Sequence, residues 1–587
     1  MGLGVKNLMQ ILGVVIFFTA PFCVSEASNI HKAAFAPKHG QAETRALERK
    51  LEKRFKAKTK KSEMNGLNGK RYSARSGRYN FILKNYKFSG NHKLTDAEVK
   101  EIVAPFIGKK FTKDVEIKIL KTISNLYNKK GFPFSFVQQI IVKNNSLNIK
   151  LLEGHINEIY YDKRFDKDPL FKHYIDKLKE MRPYDKKKGR YYFELIKKRP
   201  GVNGNLEIMT RILTPVKKID PNNPASVNIT IKNLYYGVTG ILEVNNRQRV
   251  DHTQQIQTSA NDNPTIEYQG SNYAQNVTHF NNMFGKGEKI SVNYLTTGSK
   301  EDQAFTLGLR YPIGLKGAHV FSDFSYNDSQ VNNKQKITYA TLGYNHPLYV
   351  DFDHDLDANI AFQKYREQQQ NSSLTMSDRR IHINKAILGL NYQYGKHIVD
   401  FGYHQSLTDV KKQNDDNDPG NSTHFNKLTL AVDSMFKLPY YGLDFIYRFD
   451  GQYSNHDLFF AESFSAGVYQ GGRGFTSSEI FGDSGISNSF ELSKTFYVDD
   501  HPLLASHREY IYIDDAHVIS NVSDNTKPKS GSITSVGIGS EISVVDNITF
   551  NVEFSKPISE QTKGDERTRK KRPKSKVYIG MEYAYMF

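Results

Sequence analysis

The sequence predicts a membrane β-barrel of about 16 antiparallel strands, preceded by two small α+β domains. Three observations support this fold class: an apolar leader, helix signals that lie between residues 81 and 234, and alternating apolar and polar residues over 235–587. Every backbone group needs a partner in lipid, so a membrane-spanning sheet has to close into a barrel. One face of each strand then meets hydrocarbon and the other faces the lumen, which produces the alternation.

The leader, residues 1–27, has the features of a secretory signal peptide. Residues 8–18 form a short apolar run, and residues 25–27 form a small-x-small cleavage site. The alternative, a membrane anchor helix, is disfavoured by Pro21 and by the shortness of the run. The only cysteine, Cys23, lies in this leader, so no internal disulfide is expected.

Composition narrows the class of protein further. The formal net charge is +19, and 35 tyrosines and 37 phenylalanines occur without a single tryptophan. After residue 27 no apolar run approaches 18 residues, which excludes membrane helices but not a barrel, whose strands are only half apolar.

Residues 28–80 are predicted to be a basic N-terminal helix and linker. Leu47, Leu51 and Phe55 recur four residues apart and form a narrow apolar stripe on a cationic helix. A disordered basic leader and a helix lying on the membrane surface are the alternatives.

Residues 81–154 are predicted to fold in the order β-α-α-β-β. Thr95 and Glu98 have the spacing of a capping box at the start of a first helix. A second helix ends at residues 129–131, where two lysines precede a glycine. Two strands follow, Phe136–Lys143 and Leu147–Leu151.

Residues 155–234 repeat this order less clearly. The predicted elements are a strand from Ile156 to Tyr161, helices at Leu170–Met181 and Tyr191–Lys198, and strands at Leu206–Leu213 and Val227–Ile231. A break at Pro200-Gly201-Val202 separates the second helix from the strands.

From residue 235 onwards the alternation of a barrel dominates. In the last strand an apolar face, Val577, Ile579, Met581, Tyr583, Tyr585 and Phe587, alternates with a second face of mostly smaller or polar residues. At roughly 20 residues for each strand and its loop, residues 235–587 hold about 16 strands. A soluble β-sandwich also alternates and is the alternative interpretation.

One glycine-rich stretch interrupts the strand rhythm. The segment Gly471-Gly472-Arg473-Gly474-Phe475 places a permanently charged guanidinium on a narrow turn, next to an apolar ring. A second motif, Gly482-Asp483-Ser484-Gly485, follows it. Such a tip is suited to enter a cavity and pair with a carboxylate. A surface turn with a solvated arginine is the alternative.

At these motifs the chain resembles the outer-membrane transporters of two-partner secretion, which export filamentous haemagglutinins and haemolysins. The resemblance implies that Gly472, Arg473, Gly474 and Phe475 form the tip of a gating loop folded into the barrel, although Gly472 stands where the family usually has valine. It also implies a loop motif, Gly482, Asp483 and Gly485.

The resemblance extends to other parts of the chain. The order of elements in residues 81–154 and 155–234 resembles that of polypeptide-transport-associated (POTRA) domains. The terminal strand, with Tyr583, Tyr585 and Phe587, looks like the signal that outer-membrane barrels present to their assembly machinery.

The resemblance also implies a lumenal aspartate opposite the tip arginine, in a pattern of Phe or Gly, x, Asp, x, Gly. The best match is Tyr512-x-Asp514-x-Ala516, which departs from the pattern at both ends. If Ile511 and Ile513 face lipid, Asp514 faces the lumen. Asp514 is therefore the predicted partner of Arg473, with Asp515 and Asp483 as alternatives.

The implied activity is translocation of a large unfolded secreted partner, an adhesin or a haemolysin, across the outer membrane. The POTRA domains would capture the client in the periplasm, and the residues before them would plug the pore. The lipid, and lipopolysaccharide opposite the basic run 567–576, are further expected partners. An insertase of the related assembly family and a passive porin or adhesin are the alternatives.

Several chemical functions are not expected. Histidine spacing indicates no metal site, no dinucleotide fingerprint is complete, and neither a cofactor nor a catalytic residue is predicted. Ser484 resembles a protease nucleophile motif, but its surroundings belong to the arginine tip. Nucleic-acid binding would need aromatic platforms or a recognised module, and the sequence has neither.

Overall fold

Two α+β domains precede a closed antiparallel sheet in the computed structural model of the chain. The structure describes residues 79–202, 207–211, 227–232, 237–246, 273–297, 302–329, 334–351, 354–370, 379–407, 411–413, 424–439, 441–459, 461–468, 470–475, 479–498, 504–521, 530–544, 547–563 and 575–586. The predicted signal peptide, nearly all of the predicted basic helix and linker, and Phe587 lie outside these residues.

The first α+β domain follows the predicted order β-α-α-β-β, with an additional pair of two-residue strands that was not predicted. Its helices are α1 (Asp96–Val103) and α2 (Lys113–Lys129), and a 3₁₀ turn spans Ala104–Phe106. Its strands are β1 (Phe81–Ile82), β2 (Asn85–Ser89), β3 (Lys110–Phe111), β4 (Phe136–Lys143) and β5 (Ser146–Leu152). Strand β5 lies between β2, to which it is parallel, and β4, to which it is antiparallel.

The predicted capping box is present at the start of α1. The Thr95 hydroxyl accepts a hydrogen bond from the Glu98 backbone N–H at 3.3 Å, and the Glu98 carboxylate accepts one from the Thr95 N–H at 2.9 Å. Both helices pack their apolar faces on the sheet around Val99, Ile119 and Ile149. The domain thus has a core of its own.

The second α+β domain repeats the arrangement. Its strands are β6 (Ile156–Tyr160), β7 (Glu207–Arg211) and β8 (Val227–Lys232), with β8 in the middle. Its helices are α3 (Pro169–Glu180) and α4 (Lys186–Lys197), and a 3₁₀ helix spans Lys163–Lys167. Helix α4 begins five residues before the predicted start at Tyr191, because the Asp185 carboxylate caps it by accepting from the N–H groups of Lys187 and Lys188.

The described strands from Gly237 to Met586 form a closed antiparallel barrel, which confirms the predicted fold class. The first half comprises β9 (Gly237–Asn245), β10 (Tyr273–Asn281), β11 (Lys289–Thr297), β12 (Asp302–Ile313), β13 (Ala318–Ser329), β14 (Lys334–Val350), β15 (His354–Gln370) and β16 (Arg379–Tyr394). The second half comprises β17 (His397–Ser406), β18 (Lys411–Gln413), β19 (Asn426–Leu438), β20 (Leu443–Tyr453), β23 (Ser484–Tyr497), β24 (Leu504–Ile519), β25 (Ser530–Val544), β26 (Ile548–Lys563) and β27 (Lys576–Met586). Two short strands, β21 (Phe464–Ala466) and β22 (Ile480–Gly482), lie in the segment between β20 and β23.

These segments make sixteen positions in the described barrel wall. Strands β17 and β18 both pair with β16, one beyond the other, and therefore occupy a single position. Strand β27 pairs with β9 and closes the ring. The predicted count of about 16 is correct.

The two faces of the wall differ as a lipid-spanning sheet requires. Ile511 of β24 is 54% exposed on the outside, whereas its neighbour Tyr512 is buried inside. In β27, Val577, Ile579, Met581 and Tyr583 are exposed, while Tyr578, Glu582 and Ala584 are buried towards the lumen. Among the described helices none is both long and apolar enough to cross a membrane.

Candidate functional site

The segment between β20 and β23, residues 454–483, is called here the inward loop, because its described parts fold into the barrel. Its described parts include Leu458, Phe459 and Phe475, all of which are buried. The strands β21 and β22 pair with each other and form its two limbs. The tip between the limbs carries Arg473.

The glycines of the tip allow a close backbone approach to the wall. Gly471 has φ +67°, in the left-handed region that glycine adopts without strain. A Cβ atom on Gly474 would lie 2.9 Å from the Ser535 Cβ and 3.0 Å from the Pro557 backbone N. The Gly474 N–H donates to the Ser535 hydroxyl at 3.2 Å. The tip is therefore in direct contact with β25 and β26.

Arg473 pairs with Asp514, the aspartate expected to oppose it. Its Nε donates to Asp514 Oδ2 at 2.9 Å and its Nη2 to Oδ1 at 3.0 Å, a bidentate arrangement. The Arg473 backbone N–H also donates to Oδ2 at 3.0 Å. The Asp514 side chain is 1% exposed. Loss of either partner would leave a charge unpaired away from bulk water.

Further groups surround the guanidinium. Its Nη1 lies 3.0 Å from Glu491 Oε2 and 3.8 Å from Glu553 Oε2, and its Nη2 donates to the Ser489 hydroxyl at 3.1 Å. The guanidinium carbon lies 3.3 Å from the centre of the Tyr512 ring. A cation close to an aromatic face is attracted by the ring quadrupole.

Glu491 and Glu553 are held by other residues as well. Arg508 pairs with Glu491, and Arg448 lies 3.8 Å from the same carboxylate. Glu553 accepts hydrogen bonds from the hydroxyls of Tyr510 at 2.9 Å and Tyr512 at 3.2 Å. The arginine tip thus inserts into a network built from β20, β23, β24 and β26.

Sequence reasoning did not assign Glu491, Ser489 or Tyr578 to this site. The Tyr578 hydroxyl donates to the Arg473 carbonyl at 2.8 Å and so fastens the tip to β27. All three lie on the inward faces of their strands, and the two-residue periodicity indicates that face. Strand register decides which inward residues contact the tip, and register cannot be predicted from the alternation of residues.

Phe475 follows the arginine into an apolar cluster. Its ring is buried with Phe464, Ala466, Ile480, Ala516, Val518 and Ile533. The cluster joins both limbs of the inward loop to β24 and β25. The tip is therefore held by apolar packing as well as by charge.

The second motif lies at the end of the inward loop. Asp483 is fully buried and accepts hydrogen bonds from the backbone N–H groups of Leu458 and Asn521, each at 2.8 Å. A Cβ atom on Gly482 would lie 2.7 Å from the Ile519 carbonyl oxygen, and one on Gly485 would lie 2.3 Å from the Phe464 ring. These residues fix how the loop leaves the wall.

The alternative partners of Arg473 have other contacts. Asp515 accepts a hydrogen bond from the Thr534 hydroxyl at 2.9 Å, on the opposite face of β24 from Asp514. Asp483 accepts hydrogen bonds from backbone N–H groups of the inward loop and of the segment that follows β24. The Ser484 hydroxyl donates to the Ser454 carbonyl at 3.0 Å. Among the described residues no group of three or more His, Cys, Asp and Glu side chains could hold a metal ion.

Comparison with known proteins agrees with this architecture. A family model described as haemolysin secretion/activation protein ShlB/FhaC/HecB matches residues 240–542, and a model of the ShlB-type POTRA domain matches residues 81–154. No curated protein sequence matches the chain.

Two solved structures share the fold. CdiB from Escherichia coli aligns over 94% of this chain and 100% of its own, with a TM-score of 0.61 and 15% identity. CdiB from Acinetobacter baumannii aligns over 93% of this chain and 97% of its own, with a TM-score of 0.54 and 11% identity.

Proposed function

The chain belongs to the ShlB/FhaC/HecB family of haemolysin secretion/activation proteins, outer-membrane transporters with periplasmic POTRA domains, and on this premise we propose how it moves its partner. The proposed client is a large secreted polypeptide that crosses unfolded. The POTRA domains capture it, and the inward loop gates its passage through the barrel. The Arg473 network carries this proposal, because it holds the loop inside the lumen.

The client is captured at the edges of the α+β domains. Strand β4 pairs on one side with β5, and within the described residues no strand covers its other side. An open edge accepts an extended peptide by strand addition, in which main-chain hydrogen bonds supply the affinity. Ile141 of β4 is exposed and is available to contact client side chains.

The inward loop closes the resting barrel. Breaking a buried ion pair by removing one partner costs about 3–5 kcal/mol. Arg473 provides such a pair with Asp514, together with Glu491 and the Tyr512 ring. The loop therefore occupies the lumen until the client displaces its tip. Folding of the client outside the cell supplies the driving force, and the basic helix predicted within residues 28–80 acts as a plug.

The gate is tested with Arg473→Ala and Arg473→Lys. We expect both variants to raise the resting ion conductance of the purified barrel in planar bilayers and to lower client secretion at least tenfold. Lysine fails because its ammonium cannot reproduce the planar bidentate contact and the stacking on Tyr512. Secretion is measured as client in the medium per assembled barrel.

Arg310→Ala is the matched control. Arg310 makes a bidentate pair with Asp323, both distances 2.8 Å, and lies over the Phe321 ring at 5.0 Å, but it belongs to the wall and not to the loop. We expect wild-type conductance and secretion from this variant. Normal secretion by Arg473→Ala would contradict the gate. Secretion that survives deletion of residues 81–234 would contradict client capture.

A further inference from the structure

We propose that the inward loop is divided into a fixed root and a releasable tip, and that three buried charges, Lys385, Glu462 and Lys427, hold the root. The root comprises the described residues of 454–463 together with Asp483, and the releasable tip, which in this division includes both limbs, comprises the described residues of 464–482. This inference rests on the gating role proposed above and specifies which part of the loop moves.

The three charged side chains form an ion-pair cluster, called here the staple, between the inward loop and the barrel wall. The Glu462 carboxylate lies 2.6 Å from Lys385 Nζ on β16 and 2.7 Å from Lys427 Nζ on β19. The side chains of Glu462, Lys385 and Lys427 are 3%, 8% and 6% exposed. Lys427 Nζ also donates to the Glu462 carbonyl at 2.8 Å. One loop residue is thus fixed to two strands that flank β17.

The side-chain amide of one residue forms hydrogen bonds to both ends of the inward loop, next to the barrel wall. Gln452 Nε2 of β20 donates to the Glu462 carbonyl and to the Asp483 carbonyl, both at 2.9 Å. Asp483 in turn accepts from the Leu458 N–H. The entering and returning limbs are therefore held together at their base, and the hairpin beyond it can move as a unit.

Apolar packing reinforces the root. Leu458 and Phe459 are buried in a cluster with Phe425 and inward residues of three strands, Ile337, Tyr339, Tyr365, Ile381 and Ile383. This cluster is separate from the one that holds Phe475. The root therefore contacts β14–β16, β19 and β20, with further contacts to Asn521 beyond the end of β24, whereas the tip contacts β23–β27.

Release of the tip leaves fewer buried charges unpaired than release of the root. When Arg473 departs, the buried Asp514 loses its cation, but Glu491 keeps Arg508 and Arg448, and Glu553 keeps its two tyrosine hydroxyls. Departure of Glu462 would take from both lysines the carboxylate with which they pair among the described residues. Unpaired buried charge is costly, so the tip is the part that moves.

Because the root stays in place, release of the tip opens one side of the lumen to the client. With the root in place, the lumen opens along β23–β27, where Tyr510, Tyr512 and Tyr578 line the wall. The client then passes this wall and not the surface under the root.

Thiol labelling tests the division without any client. The single native cysteine lies in the predicted signal peptide, so an engineered cysteine is expected to be the one thiol that is labelled after this peptide is removed. Ser463→Cys in the root and Ala466→Cys in the tip replace two small side chains that are both fully buried. In an Arg473→Ala background we expect maleimide labelling of the tip thiol to accelerate at least tenfold and that of the root thiol to stay unchanged. Equal acceleration of both would overturn the inference.

The staple itself is tested with Glu462→Gln, which keeps the shape and removes the charge. We expect the root thiol to become accessible in this variant. Gln452→Leu, which leaves no buried charge unpaired, is the second variant should Glu462→Gln fail to assemble, and it should expose the root thiol to a smaller degree. Protection of the root thiol in every assembled variant would refute the staple. If the wild-type protein itself secreted no client, the proposed function would be refuted, but the labelling result would still stand.

Discussion

The charged side chains of Arg473 and Glu98 lie in different environments, since Arg473 is largely buried in the barrel and Glu98 lies on the protein surface. Arg473 is 13% exposed and draws its partners from several strands that are far apart in sequence. Glu98 lies on the surface and contacts residues of its own helix start and Lys130 at 2.6 Å. The capping box could be predicted from spacing alone, because its partners are three residues apart. For Arg473, Asp514 was expected only from the family resemblance, and Glu491 and Ser489 could not be predicted from spacing.

A pH dependence at α1 follows from Glu98. The ion pair with Lys130, together with the hydrogen bond from the Thr95 backbone, lowers the pKa of Glu98 from 4.5 to about 2. A carboxyl with a lower pKa in the folded state stabilises it above the unfolded-state pKa, and this contribution is lost as the pH falls through the folded-state value. We therefore expect Glu98→Gln to reduce amide protection in α1 at pH 6, and the difference from wild type to become small as the pH falls to 2.

Hydrogen exchange of the full chain measures this effect. Glu101→Gln is the control, because Glu101 is an exposed residue of the same helix outside the capping box. A difference between Glu98→Gln and wild type that persists undiminished at pH 2 would show that the charge of Glu98 is not its cause.

At the scale of elements, the strands follow from alternation and the tip depends on close backbone contact. The alternation in β27 predicts its outward face, and Val577, Ile579, Met581 and Tyr583 are exposed as expected. The glycines around Arg473 are predicted to form a tight turn, but only the structure distinguishes their surroundings. Gly474 faces backbone atoms of β26, whereas Gly472 faces the end of the Ile533 side chain.

This difference predicts unequal effects of Gly474→Ala and Gly472→Ala. At Gly474 the new Cβ meets the Pro557 N at 3.0 Å, which cannot move without shifting the strand. At Gly472 it meets Ile533 Cδ1 at 2.6 Å, and a change of side-chain rotamer relieves the contact. Overpacking costs about 1–3 kcal/mol, so we expect Gly474→Ala to displace the tip and raise resting conductance severalfold.

Gly472→Ala is the internal control and should conduct like wild type. Planar-bilayer recordings of both purified variants decide the question. Equal conductance of the two would mean that close packing of the tip against β26 does not hold the gate.

At the scale of the whole molecule, the second α+β domain is attached to the barrel by charge and backbone contacts. Lys198 Nζ donates to Asp357 Oδ1 of β15 at 2.5 Å. The buried Arg199 pairs with Asp168 and donates to the Lys286 carbonyl at 3.0 Å, next to the turn between β10 and β11. The Gly201 N–H donates to the Gly287 carbonyl at 2.8 Å.

Arg199→Met should therefore loosen this attachment. The change leaves Asp168 buried without its cation, at a cost of about 3–5 kcal/mol. We expect amide exchange to rise at least tenfold in residues 282–288 and at the start of α3, and to stay unchanged in β23–β26. The measurement is hydrogen exchange with mass spectrometry on the full chain in detergent.

Lys188→Ala provides the control, because Lys188 is exposed on the neighbouring helix α4. Increased exchange in this control, or none in Arg199→Met, would contradict the role assigned to Arg199. The result also bears on the proposed capture, since a firmly attached second domain would deliver a captured client to a constant point of the barrel.

Local sequence patterns were enough to predict the barrel, the outward face of β27, the capping box of α1 and the glycine-rich turn around Arg473. Each depends on a local period or on short spacing, because lipid, the helix start and the tight turn act on neighbouring residues. No local pattern predicts that Glu491, Ser489 and Tyr578 contact Arg473, or that Glu462 pairs with Lys385 and Lys427. These contacts depend on how sixteen strand positions align when the sheet closes, and alternation leaves that register open since a shift of two residues preserves it.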